Sequence, residues 1–444
     1  MDPQALILIL AFSMLLVLGM PVAFALGISA FLAILSIGTV PAALQTSRVM
    51  ASGIDSFPLL AIPFFVVAGE LMGVGGMARR LLSLADALLG RARGGLAYVN
   101  TVACMLFGAI SGSAAAAVSS IGGIMIPQMA RSGYRRDFAV AVTATSATTG
   151  LIIPPSNIMI VYAVVAQNVS IAAIFLAGVV PGVLMGILLM ITSALVLLGS
   201  TSAKAQHAIA ASANNPGANP RELSLIGQAL SAVPSLLLIF IVLGGILGGV
   251  FSATEAAAIA VAYAWVLGTL FYRELSLRQI PALLLRSAKT TGVVFLLIAA
   301  SQAMAWVLTR QQIPQYVAEV LLSLSKSPIV LLLIINATLL IVGTFMDMTP
   351  AVLIFTPIFL PVATQLGLDP THFGIIMIMN LCIGLCTPPV GTCLFIGCGV
   401  GQTSIEAASR AMLPYWAAMA VALMIVTYVP WLSLALPRAA GWLP

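Results

Sequence analysis

Apolar runs of membrane-spanning length recur from one end of this chain to the other, and that recurrence leaves few folds open. Hydrocarbon offers no water to backbone N–H and C=O groups, so only helices and closed barrels cross it. Bounded by charges and helix breakers, candidate spans lie near 4–19, 22–43, 57–75, 137–166, 172–200, 225–249, 253–272, 290–308, 372–401 and 411–436. Composition agrees: 61% of the 444 residues are hydrophobic and 7% charged, too little polar surface for a soluble protein of this size. The basic residues are sparse and sit between spans rather than in a stripe. The formal net charge of +6 therefore carries topology, not affinity for nucleic acid.

Two further apolar stretches, 95–130 and 328–367, are too long for one crossing and are interrupted near their middles. Ser111-Gly112-Ser113 interrupts the first. Gly343-Thr344 through Asp347 to Thr349-Pro350 interrupts the second. Each arm would be roughly 22–27 Å long as helix, short of the ~30 Å hydrocarbon core. Re-entrant hairpins, entering and leaving on one side, fit these lengths. With the amino terminus outside, 14 of the 18 basic residues fall on the cytoplasmic side and 4 (Arg48, Arg310, Lys326, Arg438) outside, as the positive-inside rule requires. Both termini are then periplasmic. Residues 201–224 form a polar cytoplasmic linker, and amphipathic segments at 77–90 and 274–288 are expected along the inner membrane surface. The opening Met1-Asp2-Pro3 has no basic region before its apolar run, so a retained first helix is expected rather than a cleaved signal.

A shift of 234 residues lays Pro127 on Pro361, Gly133 on Gly367, Pro154-Pro155 on Pro388-Pro389 and Ser170-Ile171 on Ser404-Ile405. It also lays the first hairpin's break over Phe345-Met346-Asp347. Matches at one offset, punctuating the same order of elements, define an internal repeat. Five crossings separate the hairpins, and an odd number inverts the second relative to the first. The expected fold is all-α and polytopic, with two inverted-topology repeats built from re-entrant hairpins and broken helices.

Each repeat carries adjacent prolines inside a span, in Gly150-Leu151-Ile152-Ile153-Pro154-Pro155-Ser156 and in Gly384-Leu385-Cys386-Thr387-Pro388-Pro389-Val390-Gly391-Thr392. Two prolines remove two donors and clash with the preceding turn, so the helix breaks there. Carbonyls freed at mid-membrane need partners, and a desolvated cation such as sodium supplies one. Hydroxyls of Ser111, Ser113 and Ser156, or of Thr344, Thr387 and Thr392, would complete such sites. The alternative is a pair of kinks satisfied by water and neighbouring helices.

Three carboxylates within spans need explaining. Asp347, at the second tip, is expected to face substrate or cation, with a structural anchor for the tip as its rival reading. Glu70 has no assigned role, and Glu255 has capping-box spacing after Ser252. No phosphate-cradling glycine loop is present, which leaves ATP without a site. No closely spaced Asp/Glu/His chain marks a proton relay, which favours sodium. Cys104, Cys382, Cys386, Cys393 and Cys398 lie in apolar stretches as small hydrophobes, and His207 and His372 lack catalytic or metal partners. No cofactor is expected beyond sodium as coupling ion, and no enzymatic centre.

Several segments together resemble the large membrane subunit of the tripartite ATP-independent periplasmic (TRAP) transporters, the DctM/SiaM-type permeases. They are Ala61-Ile62-Pro63-Phe64-Phe65 through Gly69-Glu70, Ser111-Gly112-Ser113-Ala114, Ile152-Ile153-Pro154-Pro155-Ser156 and Phe251-Ser252-Ala253-Thr254-Glu255. In the second half they are Met346-Asp347-Met348-Thr349-Pro350, His372-Phe373-Gly374-Ile375 and Thr387-Pro388-Pro389-Val390-Gly391. The resemblance implies an elevator-type transporter of a bacterial inner membrane. Its partners would be a separate small four-helix membrane subunit and a periplasmic substrate-binding protein delivering an organic acid. The acid could be a C4-dicarboxylate, sialic acid, or another sugar or keto acid. It implies sodium ligands at Ser111, Ser113, Gly150, Ile153 and Pro154, and at Gly343, Gly384, Thr387 and Val390. Substrate contacts are expected from Asp347, Thr344, Thr349, Ser156, Pro155, Pro389 and Thr392.

The expected division is 1–75 scaffold, 76–200 first repeat with hairpin 95–130 and broken helix 137–166, and 201–224 linker. Then follow 225–308 scaffold, 309–410 second repeat with hairpin 328–367 and broken helix 372–401, and 411–444 as a C-terminal scaffold helix. A carboxylate carrier needing no binding protein would share this architecture. An intramembrane enzyme would need a nucleophile, acid/base pair or metal cluster at depth, and the sequence offers no such set.

Overall fold

A computed structural model describes residues 3–38, 41–92, 94–198, 225–325 and 327–443, and every regular element among them is helical. The linker 201–224 lies outside the described residues, as do Arg93, Lys204, Arg221 and Lys326. Seven described helices are long and apolar enough to cross a membrane.

Hairpin one consists of Gly95–Ser111 and Ala114–Arg131. Its tip is made by Gly112, left-handed at φ 60°, and by extended Ser113, whose Oγ accepts a hydrogen bond from Ala116 N at 3.2 Å. Glycine stops one arm and a serine N-cap starts the next. Hairpin two is Pro328–Phe345 and Met348–Gln365, turning through Met346 and Asp347 in extended backbone that needs no glycine. Broken helix one runs Arg136–Thr149 and resumes at Asn157–Ala166. Broken helix two runs Pro370–Gly384 and resumes at Thr392–Gly401. The Pro154-Pro155 and Pro388-Pro389 peptide bonds are both cis.

The 234-residue shift holds element by element. It carries Ala114–Arg131 onto Met348–Gln365, Arg136 onto Pro370, and Ile171, which opens Ile171–Leu198, onto Ile405, which opens Ile405–Tyr428. Gly133 and Gly367 both turn the chain at positive φ, 85° and 82°.

The repeats interlock. Arg136–Thr149 and Pro370–Gly384 are buried on nearly every side, and they touch where Cys382 Sγ lies 3.2 Å from Thr148 O and Cys386 Sγ 3.3 Å from Ala144 O. Thr392–Gly401 packs on hairpin one and on Arg136–Thr149, with Gly397 and Gly401 against Val140. Asn157–Ala166 packs in turn on the second arm of hairpin two. Each broken helix therefore lends its second half to the other repeat. Small residues at these crossings let backbones approach closely. Polar ties hold each hairpin to its own broken helix: Asn100 donates to Thr143 Oγ1 at 2.7 Å, and the Asn380 amide donates to Asn336 Oδ1.

Several boundaries differ from expectation. The eighth crossing, 290–308, and the surface segment 274–288 are not separate: apart from the short turn Leu277–Gln279, they form one 31-residue helix, Ile280–Arg310. Exposed Arg286 and Lys289 mark where it leaves the apolar layer, not where it begins. The run 22–43 ends at Ile37, and a second helix, Ala42–Ile54, follows. The C-terminal helix expected over 411–444 starts at Ile405, capped by Ser404, and breaks before Trp431–Ala439 at Pro430. Helix Ile313–Leu324 was not anticipated. The amphipathic segment at 77–90 is present as Met77–Leu89, burying Met77, Ala78, Leu81, Leu82 and Ala85. Ser252 and Glu255 form their capping box, with Ser252 N donating to Glu255 Oε2 at 2.7 Å.

Candidate functional site between the hairpin tips

Both hairpin tips and both helix breaks meet at one cavity of about 290 Å³. Ser111, Gly112 and Ser113 line it from tip one, and Asp347 and Thr349 from tip two. Asn157 and Thr392 line it just beyond the two breaks, and Gly69, Glu70 and Thr290 from the flanking helices Ala61–Val74 and Ile280–Arg310. Four helices begin here: Ala114–Arg131, Asn157–Ala166, Met348–Gln365 and Thr392–Gly401 each place their first residue in the wall. Each N-terminus carries roughly half a positive charge together with unpaired N–H groups. Among the described residues no lysine or arginine lines the cavity, and its carboxylates are Glu70 and Asp347.

Five residues expected at ligand sites thus share one wall: Ser111, Ser113, Asp347, Thr349 and Thr392. Thr344, Ser156, Pro155 and Pro389 are not part of it. Thr344 Oγ1 donates to Ile341 O at 2.7 Å, and Pro155 packs among Phe65, Ala68, Leu238 and Val242. Ser156 is fully buried and its Oγ has no hydrogen-bond partner, while Pro389 and Val390 are exposed.

At each break the hairpin touches the broken helix backbone to backbone. A Cβ on Gly150 would lie 2.6 Å from Gly108 Cα, and one on Gly384 would lie 2.6 Å from Gly343 Cα. In the second repeat Val390 N donates to Thr344 O at 3.1 Å, and Thr387 Oγ1 donates to Ile383 O at 2.7 Å. Gly343, Gly384, Thr387 and Val390 therefore form one constellation. In the first, among the described residues no N–H or O–H donates to the carbonyls of Gly150 through Pro154, beside the unpartnered Ser156 Oγ and Asn157 Oδ1. Buried acceptors without donors suit a cation.

Sequence reasoning missed Gly69, Gly108, Asn157 and Thr290. A Cβ on Gly69 would meet Ser111 Cα at 2.8 Å, so tip one lies flush on helix Ala61–Val74. Gly112 approaches the Asn157 amide in the same way, a Cβ there lying 2.7 Å from Nδ2. The signals were single glycine, asparagine or threonine residues in apolar runs, Gly69 within a family-like segment, and the partners are distant in sequence.

Glu70 Oε2 lies 3.8 Å from Arg286 Nε, with Arg286 61% exposed and Glu70 34%. So loose and open a pair contributes at most ~1 kcal/mol. Arg286→Gln is therefore expected to leave the thermal unfolding temperature near wild type, and a clear drop would show that this pair ties the two helices together.

Two inverted, interlocked repeats whose tips and breaks enclose a single cavity define a multi-pass helical membrane protein with a transporter fold. The solved YdaH transporter of Alcanivorax borkumensis shares it, with a TM-score of 0.59 over 88% of each chain at 15% identity. Residues 9–432 match the family model for the DctM component of tripartite ATP-independent periplasmic transporters, and the chain belongs to that family. It is 48% identical to an uncharacterised protein, YgiK, of Salmonella typhimurium over 428 residues, 96% of this chain and 95% of that one. It is 44% identical to the C4-dicarboxylate TRAP transporter large permease protein DctM of Pseudomonas aeruginosa over 387 residues, 87% of this chain and 88% of the relative.

Proposed function

We propose that this chain is the permease through which a small organic acid, delivered by a periplasmic binding protein, enters the cell together with sodium. The observation that carries the reading is the convergence of four helix N-termini on a cavity with no lining base among the described residues. N-terminal N–H groups and the hydroxyls of Ser113, Thr349 and Thr392 suit an organic carboxylate. Glu70 and Asp347 would repel that anion unless cations accompanied it. The opposite helix ends, at Gly150 and Gly384, lie against Gly108 and Gly343, where sodium ligands Ser111, Ser113, Gly150, Ile153 and Pro154, and Gly343, Gly384, Thr387 and Val390, are proposed. Sodium bound there would offset the carboxylates and fix the tips around the acid, which makes the two cargoes depend on one another.

The hairpins and broken helices are interlocked, and they meet helices Ala61–Val74 and Ile280–Arg310 across the cavity. Sliding of the interlocked body along those helices is the proposed movement, an elevator. We put C4-dicarboxylates first among substrates to try, because a 44% identical relative is named for them. A small membrane subunit is the proposed partner in the bilayer.

The test is uptake of labelled succinate and other acids into proteoliposomes holding the chain, its small subunit and the binding protein. Uptake is expected only with an inward sodium gradient and all three components. Uptake without the binding protein would make this a self-sufficient carrier, and uptake driven by protons alone would overturn sodium coupling.

A further inference from the structure

Two cavities of about 570 Å³ each open where hairpin one ends and Arg136–Thr149 begins, and both include Tyr134. They differ in charge. The first holds Arg135, Asp137, Glu406 and Arg410, and is neutral within itself: Arg135 pairs with Asp137, and Arg410 with Glu406 at 2.6 Å. The second holds Arg131 and Arg136 and, among the described residues, no carboxylate, and it is lined as well by Ile126, Pro127, Ala130 and Val400. Among the described residues neither of these guanidinium groups forms an ion pair or a side-chain hydrogen bond. An exposed arginine without a partner is ordinary. Two on the rim of one apolar concavity, beside a neighbour whose arginines are both neutralised, leave a specific charge deficit.

Depth narrows what fills it. Arg131 closes an 18-residue arm that starts at tip one, and 18 residues of helix extend ~27 Å. Hydrocarbon and headgroups together reach ~20–22 Å from the midplane, so a midplane tip on an arm tilted by ~35–40° would set Arg131 and Arg136 at headgroup level, with Ile126 and Pro127 one turn nearer the acyl chains. Guanidinium groups bind phosphate oxygens through paired N–H donors.

We propose that this concavity binds an anionic phospholipid, its phosphate held between Arg131 and Arg136 and an acyl chain laid over Ile126, Pro127, Ala130 and Val400. The walls belong to hairpin one and to Thr392–Gly401, which pack on each other, so the lipid would be held by the interlocked body itself.

Native mass spectrometry of the purified chain, with phosphatidylglycerol or phosphatidylcholine added, tests this without reference to transport. Phosphatidylglycerol is expected to be retained at least about tenfold better than phosphatidylcholine, the scale of one charge-assisted contact. The Arg131→Gln/Arg136→Gln double variant is expected to lose that preference. The Arg135→Gln/Arg410→Gln variant, in the neutral cavity, is expected to keep it. Ala130→Trp, which fills the concavity and leaves both arginines, is expected to weaken retention as well. Equal retention of the two lipids, or an unchanged preference in Arg131→Gln/Arg136→Gln, would overturn the proposal. Full displacement of the lipid by inorganic phosphate, with Ala130→Trp silent, would also overturn it, in favour of a free-anion site.

Discussion

Gly384→Ala is expected to abolish uptake and lower thermal stability, whereas Gly343→Ala is expected to do far less, although these two glycines touch each other. The difference is geometric. A Cβ on Gly384 would point into the Gly343 backbone, 2.5 Å from its carbonyl oxygen, whereas one on Gly343 would clear Gly384 Cα by 3.3 Å. Backbone atoms cannot rotate aside, so the hairpin arm must move. Overpacking of this kind costs ~1–3 kcal/mol, and the shift would pull Thr344 O from the Val390 N–H. Gly150→Ala, whose Cβ would lie 2.6 Å from Gly108 Cα, is expected to behave like Gly384→Ala. Thermal unfolding in detergent beside uptake into proteoliposomes measures both effects. Equal losses at positions 343 and 384 would show that this contact does not set the geometry of the second break.

Asp347→Asn is expected to leave a folded protein whose uptake falls by ~10–100-fold, the ~1.5–3 kcal/mol of a charged hydrogen-bonding group. Asp347 stands at the N-cap of Met348–Gln365, yet its side chain forms no capping bond, so the change removes little local stability. Its carboxylate opens instead to the cavity. Ser113 occupies the equivalent place in the first repeat and does cap its helix, so Ser113→Ala is expected to cost ~1 kcal/mol of stability. On the proposed sodium coupling, the decisive readout is sodium dependence: Asp347→Asn needs more sodium for half-maximal uptake if the carboxylate helps hold the cation. Wild-type uptake in Asp347→Asn would reduce the residue to a bystander at the tip.

The elements legible in the sequence were those punctuated by residues with one backbone meaning. Adjacent prolines fixed the two breaks, Ser111-Gly112-Ser113 fixed a tip, and their repetition at one offset fixed the architecture. Charges misled where they were treated as helix ends. Arg286 and Lys289 interrupt an apolar pattern, not a helix, because long basic side chains reach water from the end of a span. Helices Ala42–Ile54 and Ile313–Leu324 went unseen because each buries only one stripe and lacks the continuous apolar run that marks a crossing. Within the site, composition located the tips but not their directions. Thr344 and Asp347 lie three residues apart, yet the first arm ends at Phe345 between them, so one hydroxyl folds back on its own helix and one carboxylate opens to the cavity. Gly69, Gly108 and Asn157 act through partners far along the chain, which no local pattern discloses.

The two breaks share a sequence plan but not an environment: Pro155 and Ser156 are buried, while Pro389 and Val390 are exposed. In an inverted pair this difference is informative, because turning the molecule over exchanges the repeats. Give each repeat the surroundings of its twin, and the same chain presents its cavity to the other side of the membrane. On the proposed cycle, one conformation therefore outlines two end points, itself and its inverted counterpart. The inequality between twin segments, rather than any hinge within one of them, is then the quantity that transport reverses.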